Sequence, residues 1–274
     1  MKASYRIFPL LFLLLLSLAC TEEVDPGKLG LKDELLVVNS LISPEQDTLS
    51  VQVSISRPLF GELPQYGSDD DLVTDATVSL TDGNTTINLV YNEEFQLYMA
   101  RANQLPIVSG QTYTLQVVAG ERTATAQCTV PLSVPLLDVR VNTGQDFEQR
   151  VVLSWLDPGA EENYYRVRAT QQDVLGREYG TAYFEDEEFH SDVTTNGAGI
   201  SARGEIYLVP ERQFNWLVGE LITCDENYFL YHRNNNRFDN EDPFSEPTLT
   251  HTNVEGGTGI FGAYVIRQLA ITID

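Results

Sequence analysis

Positive charge is scarce in this chain, histidine and cysteine are rarer still, and no apolar run is long enough to cross a bilayer. Seventeen Lys and Arg face 40 Asp and Glu, a net charge of -23. Such a surface repels phosphate backbones and anionic headgroups, which excludes nucleic acid as a partner. The three histidines, His190, His232 and His251, come without ligand spacing, so zinc has no evident site. A GxSxG elbow, an HExxH motif, a P-loop and a cysteine with a recognisable histidine partner are all missing. Sustained helical periodicity is nearly absent as well. What remains is rich enough to fold: 42% of residues are hydrophobic and 10% aromatic, which sets the chain apart from a disordered acidic tail. Nothing in the composition implies a cofactor.

The first residues have the layout of an export signal. Lys2 and Arg6 supply positive charge, Ile7 to Leu16 is apolar apart from Pro9, and Ser17, Leu18 and Ala19 lead to Cys20. The run is short of the roughly 20 residues that span a bilayer. Leu16 to Cys20 resembles a bacterial lipoprotein signal, with Ala19 and Cys20 in place and Ser17 where the pattern has an aliphatic residue. The resemblance implies that residues 1–19 are a signal peptide and that Cys20 is lipidated, its acyl chains holding the protein on a membrane. Residues 20–33 then form a tether containing Pro26, Gly27 and Gly30. Within it the acidic run around Glu22 and Glu23 looks like the surface-export tag of Bacteroidota lipoproteins, which places the expected location at the outer membrane, facing the exterior. Removal of residues 1–19 takes away Lys2 and Arg6, moving the charge from -23 to about -25.

From residue 35 onward, alternation of apolar and polar residues predicts an all-β chain of two β-sandwich modules, immunoglobulin- or fibronectin type III-like, with one short helix near the C-terminus. The N-terminal sandwich is expected over 34–132. Leu35 to Ile42 suits a buried strand, Leu49, Val51, Val53 and Ile55 alternate, and residues 61–75 read as an exposed loop. Asp82, Gly83 and Asn84 mark a hairpin, and a second hairpin turns near Gly120. Ala124, Ala126, Cys128 and Val130 share one strand face. In an oxidising compartment Cys128 could pair with Cys224, while a small buried hydrophobe explains Cys128 equally well.

The C-terminal sandwich is expected over 133–274. Val151, Leu153 and Trp155, then Tyr165, Val167 and Ala169, resemble the second and third strands of a fibronectin type III domain around its core tryptophan. Residues 176–204, with several glycines and the run Glu185 to Glu188, read as a long insertion and the first place to seek a partner surface. A helix is expected over 225–237, with Thr223 and Glu226 as a capping box and Tyr228, Tyr231 and His232 on the face that packs.

Pro243 to Pro247 and the stretch Thr252 to Tyr264, together with Leu36 to Pro44, Val73 to Val78, Trp155 and Tyr164–Tyr165 in the same order, resemble a family of Bacteroidota lipoproteins catalogued as domain of unknown function 4249. The resemblance implies an exported, surface-lying lipoprotein of the kind often encoded near outer-membrane transporters. It supplies no catalytic residues.

Gly257, Gly259 and Gly262 match GxGxxG by letter, but no βαβ context follows, so they are expected to form a tight loop against a neighbouring strand. The acidic clusters at 69–71, 185–188 and 239–242 follow no EF-hand register and read as solvated loops, with no metal expected. The functional expectation is therefore a lipid-anchored binding protein, accessory to a TonB-dependent type of transporter. An adhesive or structural surface module is the alternative. A secreted-type glycan hydrolase ranks third, because the many carboxylates offer pairs without revealing a spacing; the chain is not expected to be an enzyme.

Overall fold

The computed structural model describes residues 34–56, 71–143, 148–159, 161–193, 196–207, 215–238 and 251–273. The signal peptide, the tether with Cys20, Glu22 and Glu23, most of the 61–75 loop, the acidic run 239–242 and the Pro243 to Pro247 motif lie outside the described residues.

The N-terminal half forms β1 (Leu36–Ile42), β2 (Thr48–Ile55), β3 (Thr77–Thr81), β4 (Thr86–Asn92), β5 (Leu97–Arg101), β6 (Thr112–Ala119) and β7 (Arg122–Thr129). Their alternation sorts side chains to one face: Leu49, Val51 and Val53 of β2, Tyr113, Leu115 and Val117 of β6, and Ala124, Ala126 and Cys128 of β7 all enter one core. The Asp82 hairpin forms as expected, with the Asp82 carboxylate accepting from the Asn84 and Thr85 amides at 2.9 and 2.7 Å and Gly83 at φ +92°. Strand β5 was not anticipated. It returns from β4 through a turn in which Gln96 has φ +56°.

The C-terminal half forms β8 (Leu136–Thr143), β9 (Glu148–Leu156), β10 (Tyr164–Gln172), β11 (Glu178–Thr181), β12 (Phe189–Ser191), β13 (Gly199–Tyr207), β14 (Asn215–Cys224), helix α1 (Glu226–Phe238) and β15 (Gly257–Ile273). A three-stranded sheet, β13-β9-β8, packs on a second layer ordered β11-β10-β14-β15. This is the strand arrangement of a fibronectin type III sandwich, with β9 and β10 as its second and third strands. The stretch 176–204 is not a structureless insertion: it supplies β11, β12 and the start of β13. Its glycines and charges disguise strands that are short and lie at the sheet margin.

Strand β15 joins the halves. Its first part runs parallel to β1, from Leu36↔Gly257 to Ile42↔Ala263, and its second part antiparallel to β14, from Cys224↔Tyr264 to Asn215↔Ile273. One continuous sheet, β11-β10-β14-β15-β1-β2-β5-β4-β3-β6-β7, therefore runs through both modules. It curls until β7 meets Glu255, two residues before β15's start, where Thr125 and Glu255 exchange backbone hydrogen bonds of 2.9 and 2.8 Å. The glycines of the terminal motif lie in and just before this strand rather than in a loop. A Cβ on Gly257 would sit 2.4 Å from the Leu36 carbonyl oxygen, and one on Gly259, at φ +113°, 2.2 Å from that of Val38. The division at 132/133 separates strands but not cores, because Val254, Phe261, Ala263 and Val265 are buried with the N-terminal residues.

Candidate functional site

Trp155 plugs the C-terminal sandwich, 1% exposed, against Tyr165 with ring centroids at 5.4 Å and His190 at 5.2 Å. Below it, Tyr165 donates its hydroxyl hydrogen to the buried Asp157 carboxylate at 2.5 Å, which also accepts from the amides of Gly197 at 2.6 Å and Gly159 at 3.1 Å. Desolvation pushes Asp157 upward, but these donors together hold its carboxyl below the usual range. Buried Asp192 bonds Asn163 at 2.8 Å and meets Asp157. This carboxyl pair is spent on backbone amides that zip two loops together. Its burial closes it to a substrate.

A second polar cluster lies under α1. Arg166 donates to Glu188 at 2.8 Å and to the Tyr228 hydroxyl at 3.2 Å, and stacks on Phe189. The helix cap is Asp225, whose Oδ1 accepts from the Tyr228 amide at 2.9 Å; the expected capping residue, Thr223, is still in β14. Burial raises Asp225 to about 6, against the pull of the Tyr228 and Ala263 amides. Among the described residues its Oδ2, like Nε2 of His232, is buried without a hydrogen-bond partner. Tyr228 packs as expected, but the deepest aromatic on the helix is Phe229, at 2% exposure. In this cluster Asp225 and Phe229 are enclosed, whereas Arg166 and Glu188 each keep about a quarter of the side chain exposed in an ion pair already made.

An open groove lies elsewhere, on the ledge between β11 and β12. Phe184 is buried and its ring lies over Gly204 of β13, where a Cβ would come within 2.9 Å of it. The neighbouring Tyr183 is thereby turned outward, 63% exposed, while its backbone exchanges hydrogen bonds with Glu205 at 2.8 and 2.9 Å. Glu185, at φ +44°, starts a 3-10 turn of three residues, and Glu187 fastens that turn to β13 by accepting from the Arg203 amide at 2.7 Å. The result is a groove of about 570 Å³ bordered by Tyr183, Glu185, Asp186, Arg150, Arg203 and Glu205. Neither guanidinium makes an ion pair among the described residues. The groove can therefore present an aromatic face, free cations and carboxylates together. The expectation of a partner surface within 176–204 fell on this segment; Tyr183, Arg150 and Arg203 were not singled out, since an exposed aromatic between charges looks locally like any strand.

Cys128 and Cys224 are free thiols, both buried. Cys128 lies in the N-terminal core and Cys224 beside α1, so each fills apolar space and the alternative of a disulfide is set aside. His190 donates through Nε2 to the Glu187 carbonyl at 2.7 Å, and His251 bonds Asn227. Among the described residues no cluster of three or more His, Cys, Asp or Glu could hold a metal. Asn253 of the terminal motif bonds the backbone of Phe261 in both directions, at 2.7 and 3.0 Å, standing in for a strand neighbour.

A family model described as "Domain of unknown function (DUF4249)" matches residues 21–269. No curated protein matches the chain. Among solved structures, a DUF3823 family protein from Parabacteroides merdae is similar at 8% identity and a TM-score of 0.20, over 69% of this chain and 90% of that one. The match over residues 21–269 spans nearly the whole chain, and the protein belongs to the DUF4249 family.

Proposed function

We propose that this member of the DUF4249 family acts by binding: anchored through Cys20 to the outer membrane and facing the cell exterior, it serves as an accessory to an outer-membrane transporter of the TonB-dependent type. The observation that carries the reading is the Tyr183 groove, an exposed aromatic held on a stapled ledge beside two guanidinium groups that make no ion pair among the described residues. Exposed aromatic and arginine side chains on a rigid support are what interfaces use as anchors.

The location of the groove suits that role. Ala182, just before the groove segment, donates to the Ala169 carbonyl, and Glu188, just after it, accepts from the Val167 amide; Ala169 pairs with Gly219 and through it with Leu269, Val167 with Leu221 and through it with Arg267. The groove thus lies level with Arg267–Leu269 of β15, while Leu36 pairs with Gly257 at the start of that strand. The strand from Gly257 to Arg267 amounts to roughly 33 Å, enough to hold the groove clear of a membrane surface at the end where the chain enters.

The test is affinity purification of the full chain from mildly solubilised outer membranes. A transporter should co-purify with the wild type and be lost with Tyr183→Ala and Arg203→Ala; no transporter with the wild type overturns the reading. Cys20→Ala should release the protein to the soluble fraction, and protease shaving of intact cells should digest it while a periplasmic control survives. Loss of cell attachment with nutrient uptake intact, in a deletion strain, would select the adhesive alternative.

A further inference from the structure

The second half of β15 has one edge paired and one edge bare. On one side β14 bonds Tyr264–Ile273 throughout. On the other, β1 covers Gly257–Ala263 and then turns away at Ser43; among the described residues nothing pairs with β15 beyond it. The Ser43–Gln46 turn guards only the beginning of this edge, through Gln46 on the Tyr264 hydroxyl at 3.1 Å and Glu45 on Arg267 at 2.9 Å.

Parity identifies which backbone groups face the gap. The Asp225 amide donates to the Ala263 carbonyl at 3.0 Å, and Asn253 holds both backbone groups of Phe261, so odd-numbered residues turn their N–H and C=O toward the β14 side. Strand hydrogen bonding alternates, so those of Gln268, Ala270 and Thr272 turn to the bare edge. The same edge at Ile266 is already partly used, its carbonyl accepting from Arg267 at 2.7 Å.

The sandwich interior is also unfinished along this seam. Leu217 and Leu221 of β14 are 0% exposed, whereas Leu269, Ile271 and Ile273 of β15, which face the same core, are only partly buried. Across the seam stands β8, the last strand of its own sheet, with Val141 partly buried and Leu137 59% exposed at a register shift. Both layers therefore end on the same side with apolar side chains half covered. An added strand would satisfy the three residues' backbone groups and cover those aliphatics at once.

We propose that the Gln268–Ile273 edge of β15 is a docking site for an extended segment of a partner protein, which adds a strand in line with β1 and inserts alternate aliphatic side chains between β15 and β8. Continuity with β1 argues for a strand, since the same edge of β15 already accepts one seven residues long. Charge specifies its outward positions: Glu45 and Glu220 are already paired with Arg267 and Arg168, and it is the net charge of -23 over the whole chain that favours basic residues at alternate positions of the partner. Main-chain bonds supply affinity in such pairing and the side-chain pockets supply specificity.

The probe is a labelled synthetic peptide of eight residues alternating Ile or Val with Lys or Thr, offered to the full chain in detergent, with a scrambled peptide of equal composition as control. In the free protein, residue-resolved hydrogen exchange should find the amides of Gln268, Ala270 and Thr272 exchanging at least 100-fold faster than those of Leu269 and Ile271. The alternating peptide should bind and slow the three exposed amides at least tenfold. Ala270→Pro removes a donor only from the bare edge, so it should keep the melting temperature within a few degrees and abolish peptide binding. Protection of the three amides already present without peptide overturns the proposal, whether it is lost on dilution, which assigns the edge to a second copy, or independent of concentration, which assigns it to this chain. Equal binding of the scrambled peptide, unchanged binding by Ala270→Pro, or no binding at all overturns it too.

Discussion

In the N-terminal module the buried polar side chains are Ser40 and Ser43, whereas the C-terminal module buries Asp157, Thr170, Gln171, Asp192, Glu220 and Thr223. The first core is consequently held mainly by aliphatic and aromatic contact, with the Tyr98 and Tyr113 hydroxyls spent on nearby backbone groups, and apolar packing of that kind tolerates rearrangement. The second depends on donors and acceptors that each need a partner in place, which costs stability when unmet and fixes loop positions when met. The Tyr183 ledge and the bare β15 edge both belong to the module with fixed loops, while the curled N-terminal sheet surrounds a largely apolar core and carries β1. One module supports and the other presents.

The strongest way to break that division is to empty the presenting core. Trp155→Ala should cost about 3–5 kcal/mol, measured by chemical denaturation. Because β15 lies in both cores, the loss should appear as one shifted transition; two separate transitions would mean that the modules are independent and the comparison concerns two proteins in tandem. Gly259→Ala attacks the junction itself. Its Cβ would meet the Val38 carbonyl oxygen at 2.2 Å, at a φ that disfavours side chains, so β1 must move from β15 at a cost of about 2–4 kcal/mol. Circular dichroism melts of the two variants should fall in that order.

Removing one hydroxyl tests the polar buttress alone. Tyr165→Phe takes away the 2.5 Å hydrogen bond to Asp157 and should cost about 1.5–3 kcal/mol near neutral pH, because the carboxylate stays buried. The donors around Asp157 hold its folded pKa below the unfolded value. Their contribution is therefore present above the unfolded pKa and lost as pH falls through the folded one, and the variant's deficit should shrink on acidification. An equal deficit at pH 2.5 and pH 7 would show that packing rather than charge is at work.

Much of the architecture was legible locally. Alternation located β2, β6, β7, β9 and β10, Asp82–Gly83 gave a hairpin, and Trp155 between alternating runs marked a sandwich core. What escaped was set by distant partners. Nothing near Gly257 indicates that it will lie on Leu36, and only that pairing explains why the strand opens with glycines. Short marginal strands β11 and β12 carry too few residues to establish a period, so their segment read as loop. The groove depended on the same contacts, since Tyr183 faces outward only because Phe184 is seated on Gly204.

Asp225 gives the smallest effect and the finest contrast with the N-terminal module, among whose described residues no carboxylate is buried. Its folded pKa, about 6, lies above the ordinary 3.8, so the folded chain favours the protonated form. The stability this contributes is complete below about pH 3.8 and declines as pH rises through 6, the reverse of Asp157. His232, which burial and Arg166 hold at about 4, is neutral in the fold and gains stability over much of the same interval, so the wild-type profile can look flat while two slopes cancel. Asp225→Asn removes one of them. Asn keeps the Oδ1 cap on Tyr228 and leaves no buried charge, so it should match the wild type near pH 4 and exceed it by about 1–2 kcal/mol at pH 8, below the ceiling of roughly 3 that two pK units allow. Melting temperatures of both proteins from pH 4 to 8 would reveal this as a gap that opens with rising pH. A constant gap would mean that the cap, not the buried carboxylate, governs this end of α1.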